Sequence, residues 1–314
     1  MIGNSITSKP LLTICIPVFN YDVFKLVDRL NKEILAKTLN AEIILIDDNS
    51  DDGFNQINSE LKFESAHIIW LRQNIGRAAI RNLFLEYASS DYLLFLDCDS
   101  EIFNNFFLEN YTNEIKKGYD VVCGGRIYPE QEPPGNRLLH WRYGVKRESK
   151  NFKIRNKQPY YSFMTNNFLI RRNIFQNIRF NENIRSYGHE DTLFGYELYK
   201  SRVGVHHIDN AVMHGYIETN KEFLAKSRSS ILNLIQILHI IGYEKDFIES
   251  VTLLRVYFRL EKIKLDRLFY LISTPFIKLI TRLLQHNIVR LWMFDLLKLC
   301  LFVNFYKNKK TRFK

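Results

Sequence analysis

The chain has 314 residues, 46% of them apolar and 25% charged, a profile that excludes a disordered segment, a collagen-like repeat and a disulfide miniprotein. Its length allows one large domain or two unequal ones. The net charge of +10 is uneven, because residues 261–314 hold twelve Lys and Arg against Glu261, Asp266 and Asp295, a local balance of +9, and the rest is nearly neutral.

Leu11 to Val18 is a continuous apolar run that predicts a buried strand, followed by a helix over Asp22 to Lys37, a strand over Ala41 to Ile46 and a short helix over Gly53 to Lys62. His67–Trp70, Tyr92–Leu96 and Asp120–Cys123 read as further strands, with helices over Arg77 to Ala88 and Phe103 to Lys117 between them. This alternation predicts an α/β fold with a mostly parallel central sheet and flanking helices. From Gly124 to Tyr161 periodicity is lost and Pro129, Pro133, Pro134, Gly135 and Pro159 accumulate, so a long mobile loop is expected. Ser162–Arg171 predicts a strand, Glu190–Ser201 a helix with acids in its first turn, and Val203–Met213 a last strand. Beyond Asn220 the pattern is helical, with a stripe of Phe223, Leu224, Ser227, Ile231, Leu234, Ile235, Leu238 and Ile241 that Gly242 ends and that is expected to pack on the catalytic domain. The domain expectation is therefore a catalytic domain over 1–220 and a helical region over 221–314.

No N-terminal stretch has the pattern of a secretory signal, which gives a cytoplasmic expectation. Cys15, Cys98, Cys123 and Cys300 lack metal-site or redox spacing and read as reduced core residues. The longest apolar stretches, Leu268–Ile277 and Leu296–Phe302, are too short to span a bilayer. A basic end rich in Leu, Ile, Phe and Trp instead predicts attachment to an anionic membrane surface, no nucleic acid being expected; a helical partner-binding region with a solvated basic tail is the alternative.

In open α/β sheets ligands bind beyond the carboxyl ends of the strands. Those ends carry Phe19-Asn20, Asp47-Asp48-Asn49-Ser50, Gln73-Asn74 and Asp97-Cys98-Asp99. Two carboxylates one residue apart suit a hard divalent cation on a diphosphate, although solvated loop acids would look the same. Asp47–Ser50 taken alone also fits a helix cap. Gly76, Ala78 and Ala79 permit close approach of a ligand, with Arg77 and Arg81 one turn apart. Neither a P-loop nor a GxGxxG pattern occurs. Gly188-His189-Glu190-Asp191 offers a general base; His214 ends a strand as a ligand or structural residue, and His206 and His207 are expected to point in opposite directions.

Ile16–Asn20, Leu45–Ser50, Asn74–Gly76 with Arg81-Asn82, Leu96–Asp99 and Gly188–Asp191, in this order, resemble the family 2 glycosyltransferases. The resemblance implies a GT-A (Rossmann-like) fold and an inverting enzyme of hexosyltransferase type, acting on a nucleotide-sugar donor and a saccharide or lipid-linked acceptor in surface polysaccharide assembly. Carried over by position, Pro17, Phe19, Asn20, Asp48, Asn74, Arg81 and Asp97 bind the nucleotide-sugar, and Asp97, Asp99 and His214 hold Mg²⁺ or Mn²⁺. Asp191 is the catalytic base, with Glu190 beside it on the acceptor. The family's usual Gly stands as Asn49 here and its usual Tyr as Phe19. The basic end is expected to hold the enzyme at the inner face of the cell membrane; a nucleotidyltransferase of similar fold, or an inactive membrane-associated scaffold, are the alternatives.

Overall fold

The computed structural model describes residues 9–184, 187–286 and 288–312, with side chains through 308. Lys309, Lys310, Arg312 and Lys314 of the basic tail therefore have no described side chains. In chain order the elements are β1 (Leu12–Val18), α1 (Phe24–Ala36), β2 (Ala41–Asp47), α2 (Asp52–Ser59), β3 (Ala66–Trp70), α3 (Arg77–Tyr87), β4 (Tyr92–Leu96), β5 (Ser100–Glu101), α4 (Phe107–Lys116), β6 (Val121–Cys123) and β7 (Arg126–Ile127). There follow α5 (Leu138–Tyr143), α6 (Phe152–Arg155), β8 (Asn167–Arg171), α7 (Arg172–Asn177), α8 (Glu190–Lys200), β9 (Val205–His207), β10 (Val212–His214), α9 (Asn220–Ile240), α10 (Lys245–Ser250), α11 (Thr252–Lys262), α12 (Asp266–Gln285) and α13 (Leu291–Arg312).

The chain divides into two compact units, one of residues 1–127, 150–182 and 197–215, the other of residues 128–149, 183–196 and 216–314. The division does not fall at residue 220: two excursions from the expected catalytic domain join the helical C-terminal region. Composition gives no sign of them, since both are short and mixed in character.

In the first unit a seven-stranded sheet runs β3-β2-β1-β4-β8-β6-β9. Leu12, Ile14, Ile16 and Val18 are essentially inaccessible, each worth about 1.5–3 kcal/mol of burial, as suits an interior strand flanked on both sides. β1 pairs in parallel with β2 and β4, and β2 with β3, so their carboxyl ends share one edge. Strand order reverses direction between β1 and β4, and the crevice of an open α/β sheet forms at such a switch point. β8 runs antiparallel to both β4 and β6, the exception to the parallel pattern.

The expected strand over Val203–Met213 is two strands in different sheets. β9 pairs with β6, whereas β10 joins the small sheet β5-β10-β7. The break falls at Asn210, whose buried side chain donates to the Phe107 carbonyl and accepts from Asn104 and Asn110; such local polar bonds offer the backbone an exit from a ladder. His206 and His207 do diverge. His206 stacks on Tyr119, while His207 is buried, receiving Arg155 at Nδ1 and contacting the Pro159 carbonyl through Nε2. Arg155 is itself buried and donates to the carbonyls of Cys123, Gly124, Lys150 and Ile208. It ties down part of the segment expected to be a loop.

The rest of that segment, in the second unit, forms α5 and a π turn over Gly144–Glu148, closed by the Ser149 amide on the Gly144 carbonyl at 2.9 Å. A Cβ at Gly144 would lie 2.2 Å from the Tyr128 ring, so only glycine fits. The α9 stripe lies in the core of this unit with residues of α5, α11 and α13. Thr219 and Glu222 cap α9 reciprocally, and Gly242, at φ +65°, follows its end as expected.

Candidate functional site

At the carboxyl edge of the first unit, the ends of β1 and β2 are laced together. Ser50 donates its amide and hydroxyl to the two oxygens of Asp47, and the Ser50 hydroxyl in turn accepts from the Asn20 amide at 2.8 Å. Asn20 and Asn49 both hold positive φ, at 50° and 63°. Asparagine tolerates that region, so the replacement of glycine at 49 keeps the turn. Phe19 is half exposed beside Asn20, presenting an open aromatic face at the strand end.

Asp48 is buried, and its two oxygens accept the backbone N–H groups of Ile75 at 2.7 Å and Gly76 at 3.0 Å. Desolvation outweighs these bonds and raises its carboxyl above the ordinary value. Gly76, at φ +87°, lets the loop turn into α3 where the two amides meet the carboxylate. Exposed Asn74 donates to the Asp48 carbonyl at 3.0 Å, joining the β2 and β3 ends.

β4 delivers Asp97 and Asp99. Asp97 accepts from Arg81 at 2.8 Å on one oxygen, and Arg126 lies 3.5 Å from the other. Arg81, expected to border the nucleotide, is 2% exposed; it bonds the Arg77 carbonyl and holds Asp97. Asn82 braces α3 by accepting from the Phe180 amide and donating to its carbonyl. Asp99 pairs with His214 Nδ1 at 3.1 Å. Burial alone would raise the Asp99 carboxyl, but the hydrogen bond and charge of His214, with Arg126 and Arg77, prevail and lower it. Cys98 between them is pushed up to about 12, chiefly by desolvation and then by Asp99 and Asp97, so it remains a thiol.

Among the described residues, no three His, Cys, Asp or Glu side chains converge as a metal-ligand cluster. With both oxygens of Asp97 facing arginines, the donor set suited to a divalent cation is the Asp99 carboxylate with the His214 imidazole, an oxygen and a nitrogen that Mn²⁺ or Mg²⁺ accepts and that leave positions for diphosphate oxygens.

In the second unit, Glu190 and Asp191 occupy the first turn of α8, and the His189 carbonyl accepts the first helical bond, from Leu193. Asp191 Oδ1 accepts the Thr192 amide at 2.6 Å and lies 3.2 Å from its hydroxyl. Desolvation first, then the charges of Glu190 and Glu148, push the Asp191 carboxyl up to about 6. His189, brought down to about 4 by burial and Lys298, bonds Thr192 Oγ1 through Nδ1 at 3.1 Å. Gly188, at φ +97°, would place a Cβ 2.5 Å from Ser230, which fixes glycine ahead of this turn.

Three contributors escape sequence reasoning. Arg126 sits in a two-residue strand that has no periodicity to detect. Glu148 acts on Asp191 from the end of a π turn in a segment that reads as loop. Tyr21, pushed up to about 12 by burial and then by Asp99, follows Asn20 without a motif of its own. The four cysteines are free, as expected.

The Haemophilus influenzae protein described as an uncharacterized glycosyltransferase is 36% identical over 117 residues, covering 33% of this chain and 45% of that protein. The Bacillus subtilis putative teichuronic acid biosynthesis glycosyltransferase TuaG is 32% identical over 95 residues, covering 30% and 37%. This chain thus spans less than half the length of either. Among solved structures, the mannosyltransferase PcManGT from Pyrobaculum calidifontis, in complex with GDP-Man and Mn²⁺, superposes with a TM-score of 0.60 at 12% identity, covering 96% of this chain and 87% of that one, a likeness of GT-A fold. The family model for glycosyl transferase family 2 matches residues 13–179, just over half of the sequence and all four β-strand ends described above. The chain therefore belongs to glycosyl transferase family 2.

Proposed function

We propose that the protein is an inverting transferase that moves a sugar from a nucleotide-sugar to a hydroxyl of a saccharide or lipid-linked acceptor in a single displacement, in the assembly of a surface polysaccharide. The observation that carries the reading is the Asp191 carboxyl, raised to about 6 in the first turn of α8, where a base poised near neutrality is available to an acceptor hydroxyl. Glu190 beside it keeps that value high and binds the acceptor.

Pro17, Phe19, Asn20, Asp48 and Asn74 form the nucleotide pocket of this reading, with Phe19 stacking on the base and Asp48 as its acceptor. Arg81 positions Asp97 near the ribose. Asp99 and His214 would hold a divalent cation, which supplies charge stabilisation to the departing diphosphate. PcManGT is described with GDP-Man and Mn²⁺, and TuaG as a putative teichuronic acid biosynthesis enzyme, both of which support this choice of donor, ion and pathway class. Family membership supports sugar transfer over the nucleotidyltransferase alternative. In a thermal-shift panel of UDP-, GDP-, CDP- and dTDP-sugars with Mn²⁺, one donor is expected to raise the melting temperature, as a ligand of the native state must; stabilisation by none overturns the reading.

The reading also places the protein on the inner face of a membrane. No described helix is long and apolar enough to cross a bilayer. On α12, however, Leu268, Leu271, Ile272, Phe276 and Leu279 form an exposed ridge at helical spacing, Leu271 being 74% exposed, with Arg267 and Lys278 also exposed on the helix. The protein is expected to float with phosphatidylglycerol vesicles at low salt and to lose this in L268D/L271D, whose sites are open to solvent; sedimentation of the wild type without lipid sinks the attachment.

A further inference from the structure

A cavity of about 650 Å³ in the second unit is lined by Arg142 from α5, Lys146 and Arg147 from the π turn, Arg290 just ahead of α13 and Trp292 in its first turn. Two of the four cations are already neutralised: Arg142 reaches Glu132 at 3.0 Å and Arg147 reaches Asp295 at 3.0 Å. Among the described residues Lys146 and Arg290, both exposed, have no carboxylate partner. Arg142 is fixed by its bond to the Val289 carbonyl at 2.9 Å, which ties α5 to the α13 side of the cavity. Trp292, 65% exposed, adds a broad apolar wall. Cations set across a cavity beside an indole suit a phosphate ester on an organic body, since the guanidinium fork matches phosphate oxygens and the ring covers the attached carbon skeleton.

The cavity is linked to the proposed base. Asp295, which holds Arg147, also accepts from Lys298 at 3.0 Å; Lys298 depresses the neighbouring His189, and His189 bonds Thr192, which bonds Asp191. Glu148, one residue beyond Arg147, acts directly on Asp191. A ligand in the cavity and a hydroxyl at Asp191 are thus served by one stretch of chain.

We propose that this cavity is a subsite for a phosphate ester carried by the acceptor. The inference rests on Asp191 being the base, so its test is independent of transfer. Isothermal titration of the full chain with sodium phosphate at constant ionic strength is expected to show binding that K146A/R290A weakens by at least ~10-fold and that Glu132→Gln, which releases Arg142, tightens about 3-fold. Asp191→Asn is expected to bind phosphate as the wild type does, so failure of the base assignment leaves this result standing. Phosphate binding that is absent in the wild type or unchanged in K146A/R290A, with the fold intact by circular dichroism, overturns the subsite. A parallel arm with vesicles of one part phosphatidylglycerol to four of phosphatidylcholine identifies the source. Loss of vesicle affinity in K146A/R290A marks the phosphate as a lipid headgroup, and unchanged vesicle affinity marks it as a soluble ester; either accompanies the phosphate result and supports the site.

Discussion

Asp191→Asn is expected to reduce sugar transfer by about 10³-fold while donor binding stays within a factor of two, because a positioned general base contributes ~10²–10⁴-fold. The amide keeps the size of the side chain and its bond from the Thr192 amide, so the first turn of α8 should survive. Measured as kcat with saturating donor, turnover at the wild-type rate refutes the assignment. The pH profile gives an independent reading. Burial and Glu190 hold the proton on Asp191 up to about 6, so wild-type kcat/KM should fall about tenfold per unit below that value and level above it. Asp99 is held below the ordinary carboxylate range and stays ionised throughout, so the limb belongs to Asp191 and must vanish in the Asn variant. Stability runs the other way. A raised carboxyl favours the folded state most below the ordinary value of about 3.9, and that contribution is lost as pH rises through 6. Activity therefore grows over the window in which this group's contribution to stability declines.

Asp99→Asn should reduce transfer by at least ~10²-fold and weaken Mn²⁺ binding, read as free Mn²⁺ by electron paramagnetic resonance in the presence of a nucleoside diphosphate. The amide retains a neutral oxygen but loses the charge that offsets His214, Arg126 and Arg77. His214→Ala removes the nitrogen of the same donor set and should likewise weaken Mn²⁺ binding. Normal Mn²⁺ affinity in both variants would remove the cation from this pair. Asp97→Asn provides the contrast: with its oxygens facing Arg81 and Arg126, it should disturb the position of the loop more than the binding of the ion.

The strands that build the sheet were legible because burial on both faces demands unbroken apolar runs. β4 matches its expected span and β1 begins one residue late. The strand ends were legible for a related reason, since polar residues immediately after such runs must lie at the sheet edge. What the sequence withheld depends on partners distant in the chain. Arg81 and Asp97 are sixteen residues apart, and nothing in either segment announces that one guanidinium will be buried against the other's carboxylate. The break at Asn210 depends on Asn104 and Asn110, roughly a hundred residues earlier. Pro129 to Pro159 reads as loop because its helices are four to six residues long, below the length at which periodicity declares itself, and because glycine at 144 is required by the Tyr128 ring rather than by a turn.

The π turn at Gly144–Glu148 bears on how such an enzyme changes over evolutionary time. A π turn holds one residue more than an α turn, so gain or loss of a single residue before Ser149 rotates the side chains beyond it by about 100° around the helix axis. That rotation would exchange which of Lys146, Arg147 and Glu148 faces the basic cavity and which acts on Asp191, while leaving every donor-side residue at the sheet edge untouched. On the proposed reading, acceptor preference and donor chemistry would be separable by gain or loss of a single codon.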